Sequence, residues 1–197
     1  MALTPILASR FSLRLLEIDL GDILLQAGAS APALLLGRLP PDRAGIMVPL
    51  GAGERNAYCG SPIQCRLILV CGAGAECEIA GLDGEHWVMM TLTAELLARL
   101  GLAADAPIRC AGAATVCKLP AGRWGALVRL TRDALGVARR SPTVFSEEEA
   151  CRSLRADLRD ALLDIMDNGG GTGPPAISQA PAPQRRLVHA VADMLEA

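Results

Sequence analysis

Cys59, Cys65, Cys71 and Cys77 recur at every sixth position, and no other residues in this chain suggest chemistry so directly by type and spacing. A structural zinc site brings its ligands in close Cys-x2–4-Cys pairs, so that one turn can chelate. None of the seven cysteines forms such a pair. On strands, an even spacing places side chains on one face and implies nothing further. The count is odd and the expected compartment reducing, so the reading is buried free thiols, with a metal or redox site as the alternative.

The two histidines do not change that. His86 and His189 sit in different segments, too few and too far apart for a cluster of imidazoles with a carboxylate. His86 stands just before Trp87 at the start of a strand, as a turn or core residue would. No G-x-S-x-G elbow, phosphate-loop Gly-Lys-Ser/Thr or strand-G-x-G-x-x-G-helix unit occurs. Gly169-Gly170-Gly171-Thr172-Gly173 has the look of a phosphate loop, but no strand precedes it and Pro174-Pro175 forbids a helix after it. The expectation is a protein with no catalytic residues, no metal ligands and no cofactor, hence not an enzyme.

The elements that would position any site come from the rest of the chain. It has 197 residues, 51% hydrophobic but only 3% aromatic, so a core must be built from Leu, Val, Ile, Ala and Met. A net charge of −2 and a pI near 5.7 give no global basic field for nucleic acid or anionic lipid. Mean hydropathy is +0.33. The uncharged run Ile23–Gly37 is nevertheless broken by Gln26, Gly28, Ser30 and Pro32, short of the roughly 20 apolar residues a membrane helix needs. Glu17 and Asp19 interrupt the N-terminal apolar stretch, unlike a secretory signal. The expected location is cytoplasmic.

Residues 12–92 read as β structure. Leu16, Ile18 and Leu20 alternate with Glu17 and Asp19, and Gly21-Asp22 offers a hairpin turn into Ile23-Leu24-Leu25. Further strands are expected at Ala33–Leu39, Ile46–Leu50, Arg66–Cys71, Cys77–Ala80 and Trp87–Leu92. Turn chemistry separates them at Pro40-Pro41-Asp42, Gly51-Ala52-Gly53, Gly72-Ala73-Gly74 and Leu82-Asp83-Gly84. Short strands at this density suggest a small barrel or sandwich.

After Leu92 the pattern turns helical. Thr93 caps a short helix that Gly101 stops, and Pro120–Arg139 carries Leu127, Leu130, Ala134 and Leu135 on one side. Ser146-Glu147-Glu148-Glu149 reads as a capping box before Cys151, Leu154, Leu158, Ala161 and Ile165 at helical spacing, with Leu162 and Met166 widening the stripe. The arginines Arg123, Arg129, Arg132, Arg152, Arg155 and Arg159 mix with Asp133, Asp157, Asp160 and Asp164. That mixture reads as a solvated face, with Glu148 and Arg152 as an i,i+4 pair. Residues 169–184 are rich in Gly and Pro with no charge, which suits a linker. A last amphipathic helix, with Leu187, Val191 and Met194 or Leu195 on one face, occupies 185–197.

The layout, and above all "WGALVRLTRDALGVARRSPTVFSEEEACRSLRADLRDALLDIMD" followed by a loose linker and "RRLVHAVADMLEA", resembles the N-terminal regulatory half of AraC/XylS-type bacterial transcription regulators. Arg185, Arg186, Leu187 and Val188 match the opening of that family's DNA-binding region, whose two helix-turn-helix units are absent here. The resemblance implies a cupin-like β-barrel over 1–92 and a helical dimerisation region over 93–168. It further implies a linker over 169–184 and the first helix of a cut-away DNA-binding domain over 185–197. The fold class is then mainly β, a cupin-like barrel or sandwich, followed by an α-helical C-terminal region.

The implied function is effector sensing and dimerisation, with DNA reached only through the missing region and no DNA-binding residue in this chain. An apolar small-molecule effector would meet Leu16, Ile18, Met47, Trp87 and Met89, unless these are ordinary core. A homodimer would form through Cys151, Leu154, Leu158, Ala161, Leu162 and Ile165, unless that stripe packs against the Pro120–Arg139 helix of its own chain. The competing reading is a stand-alone cupin-like small-molecule-binding or scaffold protein with no DNA-binding partner domain.

Overall fold

The computed structural model describes residues 2–7, 12–51, 56–81, 85–102 and 104–167. The linker and terminal helix expected beyond residue 168 lie outside the described residues. Eleven strands occur among them: β1 (Ala2–Leu7), β2 (Leu13–Asp19), β3 (Ile23–Ser30), β4 (Ala33–Arg38), β5 (Arg43–Gly51), β6 (Asn56–Tyr58), β7 (Ser61–Pro62), β8 (Leu67–Cys71), β9 (Glu76–Gly81), β10 (Glu85–Thr93) and β11 (Ala114–Lys118). Three α-helices accompany them: α1 (Ala94–Arg99), α2 (Ala121–Arg140) and α3 (Glu148–Asp167).

The strands form two antiparallel sheets, one in the order β1-β4-β9-β6-β7 and the other β11-β8-β5-β10-β3-β2. Among the described residues neither sheet closes on itself and each has its own edge strands, so of the expected barrel or sandwich the β part takes the form of two facing sheets. Leu35, Tyr58 and Ile79 of the five-stranded sheet pack against Met47, Leu69, Trp87 and Met89 of the six-stranded one in a shared interior. The other face of the six-stranded sheet presents Leu25, Ile46, Val48, Val88 and Met90 to the helices, which return Leu96, Leu127, Leu135, Leu158 and Leu162.

This layering explains the sequence pattern. A strand covered on both faces has no polar side to alternate with, so β5, β8 and β10 read as near-continuous apolar runs. β2 is an edge strand, and there Leu16 and Ile18 alternate with exposed Glu17 and Asp19. The turn after it is the expected two-residue hairpin: Leu20 N–H donates to the Ile23 carbonyl at 2.9 Å, and Gly21 takes φ +85. Thr93 caps α1 by accepting from Leu96 N at 3.3 Å, and Gly101 beyond its end takes φ +65.

Three expectations fail locally. β1 lies before the region read as β and pairs with β4. β11, inside the span 93–168 read as helical, adds to the six-stranded sheet beside β8. The capping box does not open α3, because Ser146 closes a 3-10 turn, Pro142–Ser146, and the helix begins two residues later at Glu148. Pro142 favours the tight turn by fixing its first φ, and the turn reaches Ser146 before the helix can use it.

Candidate functional site

The inner face of the six-stranded sheet can be followed residue by residue through its register. Glu17 pairs with Gln26, Gln26 with Met89, Met89 with Met47, Met47 with Leu69 and Leu69 with Val116, one row across all six strands. The row grades from polar at the open β2 edge, where Gln26 Nε2 donates to the Glu17 carboxylate, to fully apolar beneath the five-stranded sheet. Because side chains alternate along β10, Trp87 and Thr91 share this face with Met89.

Two glycines make room for the large side chains. A Cβ at Gly28 would stand 2.3 Å from the Trp87 ring, so the indole lies across the β3 backbone where no side chain intervenes. A Cβ at Gly45 would stand 2.5 Å from the Met89 methyl. Trp87 is 1% exposed, and among the described residues its Nε1 has no hydrogen-bond partner; Thr91 Oγ1 is likewise buried and unsatisfied among them. A buried donor without an acceptor costs about 1–3 kcal/mol. An apolar molecule carrying one acceptor would relieve that cost at Trp87.

Of the five residues expected to line an effector site, Met47, Trp87 and Met89 meet in this interior. Leu16 and Ile18 do not join them. They face the other way and pack with the helix-side core, so the five do not share one cavity. Alternation in β2 shows that Leu16 and Ile18 share a face, but only pairing with β3 decides which face that is. Tyr58, Cys59, Cys71, Cys77, Gln26 and Thr91 were not anticipated here. The cysteines carried a signal in their spacing, and three of the four converge, while Cys65 is exposed in a turn.

The stripe expected to join two copies is filled within one chain. Leu154, Leu158, Leu162 and Ile165 are buried in the helix-side core, and Cys151 and Ala161 pack against it. Within the single chain these side chains meet α2 and the sheet, as the alternative of packing against the Pro120–Arg139 helix expects. The stripe's width, which Leu162 and Met166 extend, lets it cover α2 and the sheet at once.

Charge placement departs from a solvated helix face at three positions. Arg123 pairs with Asp164 across α2 and α3 at 3.2 Å, Arg132 donates to the Leu50 carbonyl at 3.0 Å, and Arg155 reaches Asp22. Arg152 and Glu148 form the local pair expected of them, at 2.7 Å. His86 is exposed at the start of β10, and among the described residues no group of three or more His, Cys, Asp or Glu could hold a metal ion. No described helix is long and apolar enough to cross a membrane.

No family model and no curated protein matches the chain. Among solved structures, the fold is similar to that of the AraC-like transcriptional activator CuxR, with a TM-score of 0.52 at 11% identity. The likeness covers 95% of this chain and 66% of that one, so this chain spans just under two thirds of the activator's length.

Proposed function

We propose that this chain is the effector-sensing, self-associating regulatory part of an AraC-like transcription regulator, with DNA read by a helix-turn-helix region outside these residues. The observation that carries the reading is the fold likeness to an AraC-like activator over 95% of the chain. The stretch 124–167, whose sequence resembles the same family, forms α2 and α3, which follow the β sandwich in the chain.

The sandwich suggests how sensing would reach the helices. Trp87 and Met89 face the interior, while Val88 and Met90 of the same strand touch the helix-side core. An effector that moves β10 therefore moves surfaces on both sides of the sheet. It acts as a switch only to the extent that it binds one arrangement better than the other. The effector class is an apolar molecule with a hydrogen-bond acceptor for the Trp87 indole.

Titration against a panel of duplexes tests the reading. The 197-residue chain alone should show no sequence preference, and the protein carrying the DNA-reading region should select one duplex. A sequence-selective complex formed by this chain alone would overturn the assignment. Lack of selection by the longer protein would leave the stand-alone binding or scaffold reading in its place.

A further inference from the structure

β2 ends the six-stranded sheet, and among the described residues no strand pairs with its outer side. Its pairing with β3 fixes which backbone groups face outward. Leu20 N–H donates to the Ile23 carbonyl and Ala31 N–H to the Ser12 carbonyl, so the hydrogen-bonded pairs fall at the even-numbered residues of β2. The N–H and C=O groups of Leu13, Leu15, Glu17 and Asp19 therefore point away from β3, in a row along the free edge. Leu15 stands within that row with 47% of its surface exposed, the large hydrophobic side chain that the described fold leaves in solvent.

The other edges carry features that discourage a further strand. β1 contains Pro5, and its register with β4 shifts there. β7 is two residues long, and one of them is Pro62. β11 is five residues long and ends at exposed Lys118, with Pro120 close behind. β2 has none of these. Its seven residues keep one register with β3 from Leu13 to Asp19, without proline, lysine or bulge. Its carboxylates are turned elsewhere, Glu17 to Gln26 and Asp19 to the Gly21 N–H.

We propose that β2 is the contact between two copies of this chain, which pair antiparallel across a two-fold axis at Leu15 and join their six-stranded sheets into one. Such an axis sets each residue against the one equally far on its other side, so the outward groups of one copy meet those of the other. An axis at Glu17 would set that carboxylate against itself, and like charges directly opposed destabilise a strand pair. An axis at Leu16 would set exposed Leu15 against Glu17. The axis at Leu15 sets that leucine against itself, and sets Glu17 against Leu13, which already packs toward the sandwich interior. One contact thus satisfies the free backbone groups and covers the exposed leucine. Both β2 edges are consumed and the far edge of each sheet is β11, so association stops at two. The contact deepens the self-association in the proposed function and rests on that reading for its use. The two fail separately, because mass in solution reads the dimer and duplex selection reads the regulator.

Sedimentation velocity on the 197-residue chain is the test. The wild type should run as a dimer at about 100 µM. Leu15→Lys opposes two like charges at the axis and should raise the dimer dissociation constant about tenfold or more, with circular dichroism unchanged. Leu15→Pro removes an outward N–H and no bond to β3, and should act likewise. Lys118→Glu, on the β11 edge, should leave the dimer intact. Leu15→Cys in a Cys65→Ser, Cys110→Ser background should join two chains on mild oxidation, since the two residues face each other. A monomeric wild type at that concentration overturns the proposal and leaves the edge to an extended segment of another protein. A dimer that survives Leu15→Lys, is lost in Lys118→Glu, or stays unlinked through Leu15→Cys overturns it too. Should Leu15→Pro fail to fold, Leu15→Lys, at an exposed position, decides.

Discussion

Arg155 of α3 and Asp22 of the β2–β3 turn lie 3.1 Å apart, Nε to Oδ1, an ion pair between residues far apart in the chain. The N–H direction misses that oxygen, so the contact is electrostatic and not a hydrogen bond. Arg155 also donates to the Leu20 carbonyl, and Arg99 of α1 holds the other Asp22 oxygen at 2.9 Å. One carboxylate in a tight turn thus fastens two helices to the sheet. Arg155→Met is expected to cost about 1–2 kcal/mol, since a charged hydrogen bond is lost along with a partly screened ion pair. Arg152→Met, at an exposed i,i+4 pair, should cost less than about 0.5 kcal/mol. Urea denaturation of the two variants checks the contrast, and equal costs would refute the fastening role.

Leu158 has no exposed surface in the single chain. Leu158→Ala should cost about 2–5 kcal/mol through lost burial and the cavity left behind. Leu158→Glu should unfold the chain, because the carboxylate would enter a desolvated seam. A folded Leu158→Glu monomer by light scattering and circular dichroism would instead restore the stripe as a contact between copies.

The Trp87 ring occupies the place of a Gly28 side chain. Gly28→Ala should displace the indole and cost about 1–3 kcal/mol from overpacking. In a Trp124→Phe background the emission of Trp87 reports the move, with a shift to longer wavelength as the ring gains water. An unchanged spectrum and midpoint would contradict the close approach.

Thiol reactivity should follow position. Cys65 and Cys110 are exposed, whereas Cys59, Cys71 and Cys77 are buried. Brief alkylation followed by peptide mass spectrometry should label the first two and reach the other three only on unfolding. Early labelling of Cys71 would place it at the surface.

Alkali should weaken the fold. Burial pushes the Cys117 thiol above the ordinary 9.0, and Cys71 is raised chiefly by its hydrogen bond with Cys77. Above pH 9.0 the unfolded chain has released protons that these folded thiols still hold, so their stabilisation is full below 9.0 and lost as pH rises through the folded values. Cys77, lowered, acts in the opposite sense and adds stability as pH rises toward 9.0. The urea midpoint should fall past that point, and more gently in Cys117→Val. An equal fall in that variant would remove Cys117 as a cause.

The sequence by itself determined the elements whose signals are local. The Gly21-Asp22 hairpin, the Thr93 cap and Gly101 stop of α1, and the stripes of α2 and α3 all follow from neighbours within a few residues. Tertiary structure decided what depends on partners. β11 carries no strong period of its own and becomes a strand because β8 offers an edge. Pairing with β3 turned Leu16 and Ile18 toward the helices, and the same leucines of α3 that could have faced a second copy found α2 and the sheet first. The six-residue spacing placed four cysteines in view, but only the facing of two sheets buried Cys59, Cys71 and Cys77 in one interior and left Cys65 in solvent. Periodicity shows which residues share a face; only the packed sheets decide what that face meets.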